Sequence, residues 1–150
     1  MKYRLDDAAV EQMSSHYLNE GRQQEQWQLS EIEIDDDRLQ AVVGMRSIYT
    51  SETDVGGFHL SIFSTLEFLS QLMIIYGHVW SGQNKKTKEA WMVESHTKTI
   101  RAIRSAQGIR VDMKVKTMRR RNESCYCVAD FTITDALDGL FEVRLKGFLV

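Results

Sequence analysis

Residues 61–76 have the sequence Ser-Ile-Phe-Ser-Thr-Leu-Glu-Phe-Leu-Ser-Gln-Leu-Met-Ile-Ile-Tyr, and this stretch decides the fold. As a helix it carries apolar residues on nearly every side, and Ser61 is a suitable N-cap residue. A helix with so little polar surface is typical of a buried element. We therefore predict a buried central helix from Ser61 to Gly77, which the rest of the chain surrounds.

The segments before this helix predict a short helix and a hairpin. Asp6 and Asp7 can cap a helix that ends at Gly21, and an apolar stripe would bury one side of it. From Trp27 the residues alternate as in a strand, and the acidic run 35–37 predicts the turn to a return strand over 39–48. The members of the stripe are Val10, Met13, Tyr17 and Leu18.

Of the segments after the central helix, the first is rich in Thr, Val and Ile, and the other three alternate between apolar and polar residues, which predicts an antiparallel meander with one face on the core. The predicted strands are 91–103, 111–116, 124–133 and 141–146. The resulting order predicts an α+β fold in which a curved antiparallel sheet wraps one long helix, the hotdog architecture. Several other α+β folds share this order of elements. Without proline, linker or repeat, residues 1–150 are predicted to be a single domain.

Composition and charge exclude several classes of function. The chain has 43% apolar residues and a net charge of −2, so no basic field predicts nucleic-acid binding. The first ten residues lack the apolar run of a signal peptide, and the charge-free run 68–83 is too short and polar to span a bilayer. Cys125 and Cys127 are expected to be reduced core thiols. These observations together predict a cytoplasmic protein.

Three short groups of basic residues stand outside this pattern. They could clamp the phosphates of coenzyme A, but a solvated turn and solvated strand edges explain them more simply, and they are too short to indicate nucleic acid. The groups are Lys85-Lys86-Lys88, Lys98-Arg101-Arg104 and Arg119-Arg120-Arg121.

The polar residues of the central helix share one face. Ser61, Ser64, Glu67 and Gln71 are spaced three or four apart, and Ser70 flanks them. Glu67 is the only residue from 60 to 77 that is charged at neutral pH, and an isolated carboxylate in apolar surroundings is costly unless it is paired or protonated. Such a group suits general-base chemistry or the holding of a water molecule. The alternative is that this face is the solvent strip of the helix.

A second candidate group lies just upstream. Asp54 and His59 flank the Gly56-Gly57 turn and could form an acid–base pair beside the free amides of the helix start, which would polarise a carbonyl. The alternative is a loop aspartate and a partly buried histidine. The other histidines have no metal-binding spacing, so neither a metal nor a bound cofactor is expected.

The segment from Gly44 to Gln71 resembles the type III fatty acyl-CoA thioesterase (FcoT-like) family of hotdog proteins. That family opens its central helix with Gly-His-Phe-Asn and carries an Asn-Gln pair further along, where this chain has 58–61 and Ser70-Gln71. The resemblance implies hydrolysis of an acyl thioester of coenzyme A or acyl carrier protein. This chain departs from the family where Ser61 and Ser70 replace asparagines and Thr53 replaces a tyrosine.

Two other hotdog groups share shorter features with this chain. Residues 66–71 are similar to a helix segment of the dehydratases that act on acyl carrier protein substrates, and Asp54 and His59 have the spacing of the Asp/His pair of enoyl-CoA hydratases. Gly56 stands where the hydratases have an asparagine. A 3-hydroxyacyl dehydratase or hydratase is therefore the first alternative to a thioesterase, and a non-catalytic acyl-binding protein is the second.

The residues and the resemblance together give one expectation for the site. Glu67, His59 and Asp54 are the expected catalytic residues. The expected hotdog fold also implies a homodimer, or a higher oligomer of dimers, in which the helix packs with the helix region of a second copy and the acyl pocket lies at the subunit interface. Substrate-binding roles are expected for Thr53, Gly57, Ser61, Ser64, Ser70 and Gln71.

Overall fold

A computed structural model describes residues 2–54 and 56–150. The helices are α1 (Asp7–Met13), α2 (Arg22–Gln24) and α3 (Ile62–Trp80), and a π-helical turn covers Tyr17–Gly21. The strands are β1 (Gln26–Asp35), β2 (Arg38–Ser47), β3 (Ala90–Arg101), β4 (Ile109–Arg121), β5 (Ser124–Thr134) and β6 (Leu140–Leu149).

Helix α3 begins where the sequence predicts it. Ser61 is the N-cap, and its Oγ accepts a hydrogen bond from the backbone N–H of Ser64 at 3.1 Å. The helix continues three residues beyond the predicted end at Gly77. Gly77 is buried there, and a Cβ at this position would collide with the side chain of Leu149. This glycine therefore serves close packing of α3 on β6 and not helix termination.

The six strands of the described residues form one antiparallel sheet in the order β1-β2-β4-β5-β6-β3. Irregular pairing in β1–β2, β3–β6 and β4–β5 bends the sheet. The core lies between its concave face and α3, so the inward residues of β2, β4, β5 and β6 are buried in alternation. This arrangement confirms the predicted α+β hotdog fold.

Helix α3 is long and apolar enough to cross a membrane by length and composition alone. The prediction from sequence considered only the charge-free run 68–83 and therefore underestimated how far the apolar segment extends towards the N-terminus. However, half of the apolar window is buried within the protein. The buried side of α3 carries Phe68, Leu69 and Leu72, and the ring of Trp27 packs edge-on against Phe68. The helix therefore occupies the position of a core helix.

The prediction for the N-terminal segment was wrong. Helix α1 ends at Met13 and not at Gly21, and none of its side chains, all within the described part of the chain, is buried. Ser14 takes an extended backbone, which breaks the helix and leaves the predicted apolar stripe exposed at Met13. Gly21 is buried in the π-helical turn, and a Cβ there would lie 2.6 Å from the ring of Tyr49.

The two cysteines are free and buried, as predicted from the sequence. Burial, followed by the neighbouring Cys125, raises the pKa of the Cys127 thiol to about 12. The thiol of Cys127 therefore stays protonated and acts as a small apolar side chain of the core.

The carboxylate of Asp135 ties together two loops that support the segment before α3. Asp135 accepts hydrogen bonds from the backbone N–H groups of Arg104 and Ser105 through Oδ2, and of Leu137 and Gly139 through Oδ1. Burial acts to raise its pKa, but these four bonds outweigh it and hold the pKa of Asp135 below its usual value. The turn between β5 and β6 is thereby tied to the segment between β3 and β4.

That segment in turn holds the loop before α3. Leu60 N–H donates to the carbonyl of Ile103 at 2.8 Å, and Arg104 Nη1 donates to the carbonyl of Gly56 at 3.2 Å. A side chain on Gly56 would collide with this guanidinium, so only glycine allows the contact. The position of the loop that contains Asp54 and His59 thus depends on Asp135.

We expect Asp135→Asn to lower the free energy of unfolding by about 2 kcal/mol at pH 7, because the isosteric amide turns an NH₂ group towards two N–H donors. Since the folded-state pKa of Asp135 is lowered, its stabilisation is present above the unfolded value near pH 4 and is lost as the pH falls through the folded value. Urea unfolding of both proteins from pH 7 to pH 2 measures the difference, which should shrink in acid.

The matched control is Asp138→Asn in the same turn, since this side chain is 86% exposed and forms only a surface ion pair with Arg101. Its effect should stay within about 0.5 kcal/mol. Equal effects of the two substitutions would contradict the role assigned to Asp135.

Candidate functional site

A cavity of about 240 Å³ lies beside the loop that leads into α3. Its walls come from the N-terminal segment, from the chain that follows β2, and from the loop before α3. Every lining residue that the structure describes carries a hydroxyl, a carboxylate or an imidazole. The lining residues are Ser15, Tyr17, Glu25, Tyr49, Ser51, Thr53, Asp54 and His59.

Asp54 and His59 form one wall of this cavity. The Oδ2 atom of Asp54 lies 2.8 Å from Nδ1 of His59, and both side chains are partly exposed. Oδ1 of Asp54 also accepts a bond from the N–H of Gly56 at 3.4 Å, which orients the carboxylate. With the proton of a neutral imidazole held at Nδ1, the lone pair of Nε2 is available to accept another. The pair can therefore act as a general base.

Glu25 contributes a buried carboxylate to the same cavity. Its side chain is 3% exposed. Oε2 accepts hydrogen bonds from the Tyr17 hydroxyl at 3.1 Å, from Arg22 Nη1 at 3.1 Å and from the Ser64 hydroxyl at 2.9 Å. Three donors on one oxygen compensate for much of the cost of removing this charge from water. They also attach the N-terminal segment to the first turn of α3.

Arg22 extends this cluster to Glu67. Its Nη2 donates to Oε1 of Glu67 at 2.7 Å, and its guanidinium lies 5.6 Å from the ring centre of Phe63. Burial opposes the charge on Arg22, but its hydrogen bond and ion pair with Glu67 and the charge of Glu25 raise its pKa above the usual value. The prediction that Glu67 is an isolated carboxylate in apolar surroundings was wrong, because the side chain is 52% exposed and paired with Arg22.

Tyr17 connects the cluster to the helix start. Burial raises its pKa, and although a hydrogen bond with Ser61 acts in the opposite direction, the charge of Glu25 adds to the increase. The phenol therefore keeps its proton and donates to Glu25 at neutral pH. Its ring lies 5.7 Å from that of Tyr49, so these two aromatic rings form adjoining walls of the cavity.

The structure divides the residues that the sequence singled out into three sets. Asp54, His59 and Thr53 line the cavity. Ser61, Ser64 and Glu67 belong to the adjoining cluster around Arg22 and Tyr17.

Ser70, Gln71 and Gly57 lie outside both groups. The Ser70 hydroxyl donates to the carbonyl of Leu66 at 2.7 Å, and Gln71 is half-buried about 15 Å along the helix from Ser61. Gly57 has a φ of +70° with open space where a side chain would be, so it meets the demand of a turn.

Six residues of the cavity and its adjoining cluster were not predicted from the sequence, namely Ser15, Tyr17, Arg22, Glu25, Tyr49 and Ser51. Tyr17 was assigned to the apolar stripe of a helix, and Tyr49 follows the end of the predicted return strand. Arg22 and Glu25 fell between two predicted elements, although an arginine three residues before a glutamate is a helical ion-pair spacing. That spacing next to Gly21 was the one available signal.

A larger groove of about 860 Å³ lies on the opposite, convex face of the sheet. Its charged side chains pair across strands. Arg144, which lies nearby on that face, bonds to Asp130 at 2.6 and 2.8 Å and lowers the pKa of that carboxyl group, while Arg38 lies 3.8 Å from Asp112. These pairs are typical of a solvated sheet face. Within residues 2–54 and 56–150, no three potential ligands among His, Cys, Asp and Glu are grouped to hold a metal ion.

The chain has the hotdog fold, and comparison with solved structures places it beside proteins of that fold. A thioesterase from Haemophilus influenzae superposes with a TM-score of 0.56 at 12% identity over 99% of this chain and 93% of that one. A variant of a hypothetical thioesterase from Streptococcus pneumoniae gives 0.59 at 10% identity over 83% and 91%. A variant of a thioesterase from Pseudomonas aeruginosa gives 0.52 at 15% identity over 97% and 96%.

No protein-family model matches the sequence, and no curated protein is significantly similar to it. At identities this low, the likeness to solved structures establishes the fold alone.

We expect Arg22→Met to lower the free energy of unfolding by about 3 kcal/mol, because it leaves the buried carboxylate of Glu25 without its cation. Urea unfolding followed by circular dichroism measures the loss. Adding Glu25→Gln to this variant should restore part of the stability, since a neutral amide costs less to bury than an unpaired carboxylate.

Arg38→Met is the matched control, because that side chain is 59% exposed and its ion pair with Asp112 is long, at 3.8 Å. Its cost should be below about 1 kcal/mol. If the two arginine substitutions cost the same, the Arg22–Glu25 pair does not hold the site together.

Proposed function

We propose that the protein hydrolyses acyl thioesters, with the thioester carbonyl bound beside the Asp54–His59 pair. The observation that carries the proposal is this pair, joined at 2.8 Å and opening on a cavity next to the N-terminus of α3. The names of the hotdog proteins with which the chain superposes support the same activity. Coenzyme A and acyl carrier protein remain equal candidates for the thiol carrier.

The reaction needs a base and donors to the carbonyl oxygen. Nε2 of His59 takes a proton from water, the water oxygen attacks the carbonyl carbon, and the collapse of the tetrahedral intermediate breaks the C–S bond. The departing sulfur takes the proton back from His59, which leaves a carboxylic acid and a free thiol. Within α3 the N–H groups of Ile62 and Phe63 have no acceptor, so they are suitable donors to the developing oxyanion.

Glu67 has a positioning role in this scheme. A carboxylate that is bonded to a guanidinium at 2.7 Å is a weaker candidate for the base than the Asp54–His59 pair, since proton transfer would break its ion pair. Through Arg22 it holds Ser64 and the N-terminal segment against the helix start. Thr53 and Ser61 would contact the substrate near the carbonyl, and Ser70 and Gln71 would meet parts of it that lie further along α3.

We expect His59→Ala to lower kcat about 100-fold or more on acyl-CoA substrates, because it removes the proton acceptor. Release of free thiol, followed with a thiol-reactive dye, measures the rate. Asp54→Asn should also lower kcat, and Glu67→Gln should have a smaller effect than either. His96→Ala is the matched control, as this histidine lies on β3 on the far side of the sheet.

The proposed site is wrong if His59→Ala and Glu67→Gln both leave the turnover of every substrate unchanged. If acyl thioesters bind but are neither hydrolysed nor changed at the enoyl bond, the protein is an acyl-binding module and not an enzyme of either kind.

A 3-hydroxyacyl dehydratase or enoyl hydratase is the second candidate function. The same Asp54–His59 geometry favours it, because an oriented imidazole can move a proton at the carbons next to a thioester. The product distinguishes the two reactions. A change in absorbance of the conjugated enoyl thioester without thiol release would favour this candidate over hydrolysis.

We also propose that two copies of the chain form a homodimer along β3. This strand is at the edge of the sheet, pairs on one side with β6, and exposes Trp91, Val93 and Ile100. A long apolar edge strand is prone to association unless it is paired or protected. An expected reducing, cytoplasmic location is supported by the free buried thiols of Cys125 and Cys127.

Sedimentation should therefore give about twice the mass of one chain, and Val93→Lys should shift the protein towards the monomer because it places a charge on the paired edge. The matched control Val10→Lys changes an exposed valine of α1 and should leave the dimer intact. A monomeric wild-type protein at micromolar concentration would rule out this dimer.

A further inference from the structure

One oxygen of the buried Glu25 carboxylate has no donor. All three hydrogen bonds to this side chain reach Oε2, and none of the described residues donates to Oε1. Every fully enclosed side-chain nitrogen or oxygen of the described residues has a partner, so Oε1 must border open space. The open space at Glu25 is the 240 Å³ cavity. A carboxylate that is otherwise 97% buried thus presents one free acceptor to that cavity.

The other described lining residues also carry polar groups, beside the rings of Tyr17 and Tyr49. Among residues 2–54 and 56–150 the cavity lining contains no Val, Leu, Ile, Met or Phe, and the hydroxyls of Tyr49 and Ser15 have no partner there. The volume corresponds to about eight water molecules. An alkyl chain placed here would displace water from Glu25 and from these hydroxyls without replacing its hydrogen bonds, which is costly.

We infer that the acyl group of the substrate is short and carries a hydrogen-bond donor that binds Oε1 of Glu25. This inference rests on the proposed function, because a carbonyl beside His59 directs the acyl group into the cavity that His59 and Glu25 share. A hydroxyl group fits better than an ammonium group. Glu25 already has a cation in Arg22, and Asp54 already has its partner in His59.

Binding of unreactive analogues tests this inference apart from catalysis. The probes are thioethers of pantetheine, the arm that coenzyme A and carrier proteins share, with 3-hydroxybutyl, 3-aminopropyl, butyl and octyl groups. We expect the hydroxybutyl thioether to bind about tenfold or more tightly than the butyl thioether, the value of one hydrogen bond to a charged group. NMR titration at millimolar concentration measures both affinities.

Tighter binding of the aminopropyl than of the hydroxybutyl thioether would keep the donor and reject the hydroxyl. Equal binding of the hydroxybutyl and butyl thioethers, tighter binding of the octyl thioether, or no binding of any probe would overturn the inference.

Two variants locate the preference. Glu25→Gln should reduce the hydroxybutyl-to-butyl ratio to within about threefold, because the charged acceptor is lost. Should that variant fail to fold, Tyr49→Phe still tests the cavity, since it removes a hydroxyl without a partner and keeps the ring that packs on Gly21. It should also lower the ratio. Tyr126→Phe is the control and should leave the ratio unchanged, because the Tyr126 ring contacts Phe148 away from the cavity.

Failure of this inference and failure of the proposed function give different results. Discrimination between the thioethers without thiol release from any thioester would reject hydrolysis alone. Thiol release from butyryl and 3-hydroxybutyryl thioesters at equal rates, with equal binding of the thioethers, would reject the polar acyl group alone.

Discussion

The packing of α3 on the concave face of the sheet is the constraint on which the rest of the structure depends. Phe68, Leu69 and Leu72 are fully buried there, and each such side chain contributes about 1.5–3 kcal/mol to stability. Gly77 allows the end of the helix to approach β6 closely. Once this side of α3 is fixed, its opposite side near the N-terminus must be covered by another segment or face water.

The N-terminal segment provides that cover, and electrostatics holds it in place. Its helix α1 buries no side chain, so hydrophobic burial by α1 cannot attach it. The attachment comes instead from Tyr17, Arg22 and Glu25, which reach Ser64 and Glu67 on α3. A buried ion pair adds little net stability compared with an apolar core, but it tolerates few alternative arrangements, because a misplaced partner leaves a charge buried and unpaired. These contacts define one geometry for the cavity.

Features of this structure that depend on local sequence patterns can be predicted from the sequence, and features that depend on contacts between distant residues cannot. The central helix and five of the strands follow from apolar periodicity, which is local, and the pairing of Asp54 with His59 follows from a spacing of five residues across a glycine turn. The cluster around Glu25 could not be predicted in this way, since Arg22 and Ser64 are 42 residues apart and meet only in the folded chain. Gly21 shows the same limit. In the sequence it resembles a helix stop, whereas in the structure it allows close contact with the ring of Tyr49.

The two acidic groups of the site differ in exposure, and this difference assigns their roles. Asp54 and His59 are partly open to solvent, so their shared proton can exchange with water or substrate. Glu25 is enclosed and its Oε2 is saturated with donors, so a proton shuttle through that oxygen would cost the cluster that holds the cavity together. Its remaining oxygen can still accept a hydrogen bond without disturbing those contacts. Asp54 is therefore suited to proton transfer with His59, and Glu25 is suited to recognition. The loop that carries Asp54 and the N-terminal segment that carries Glu25 are held by different parts of the fold.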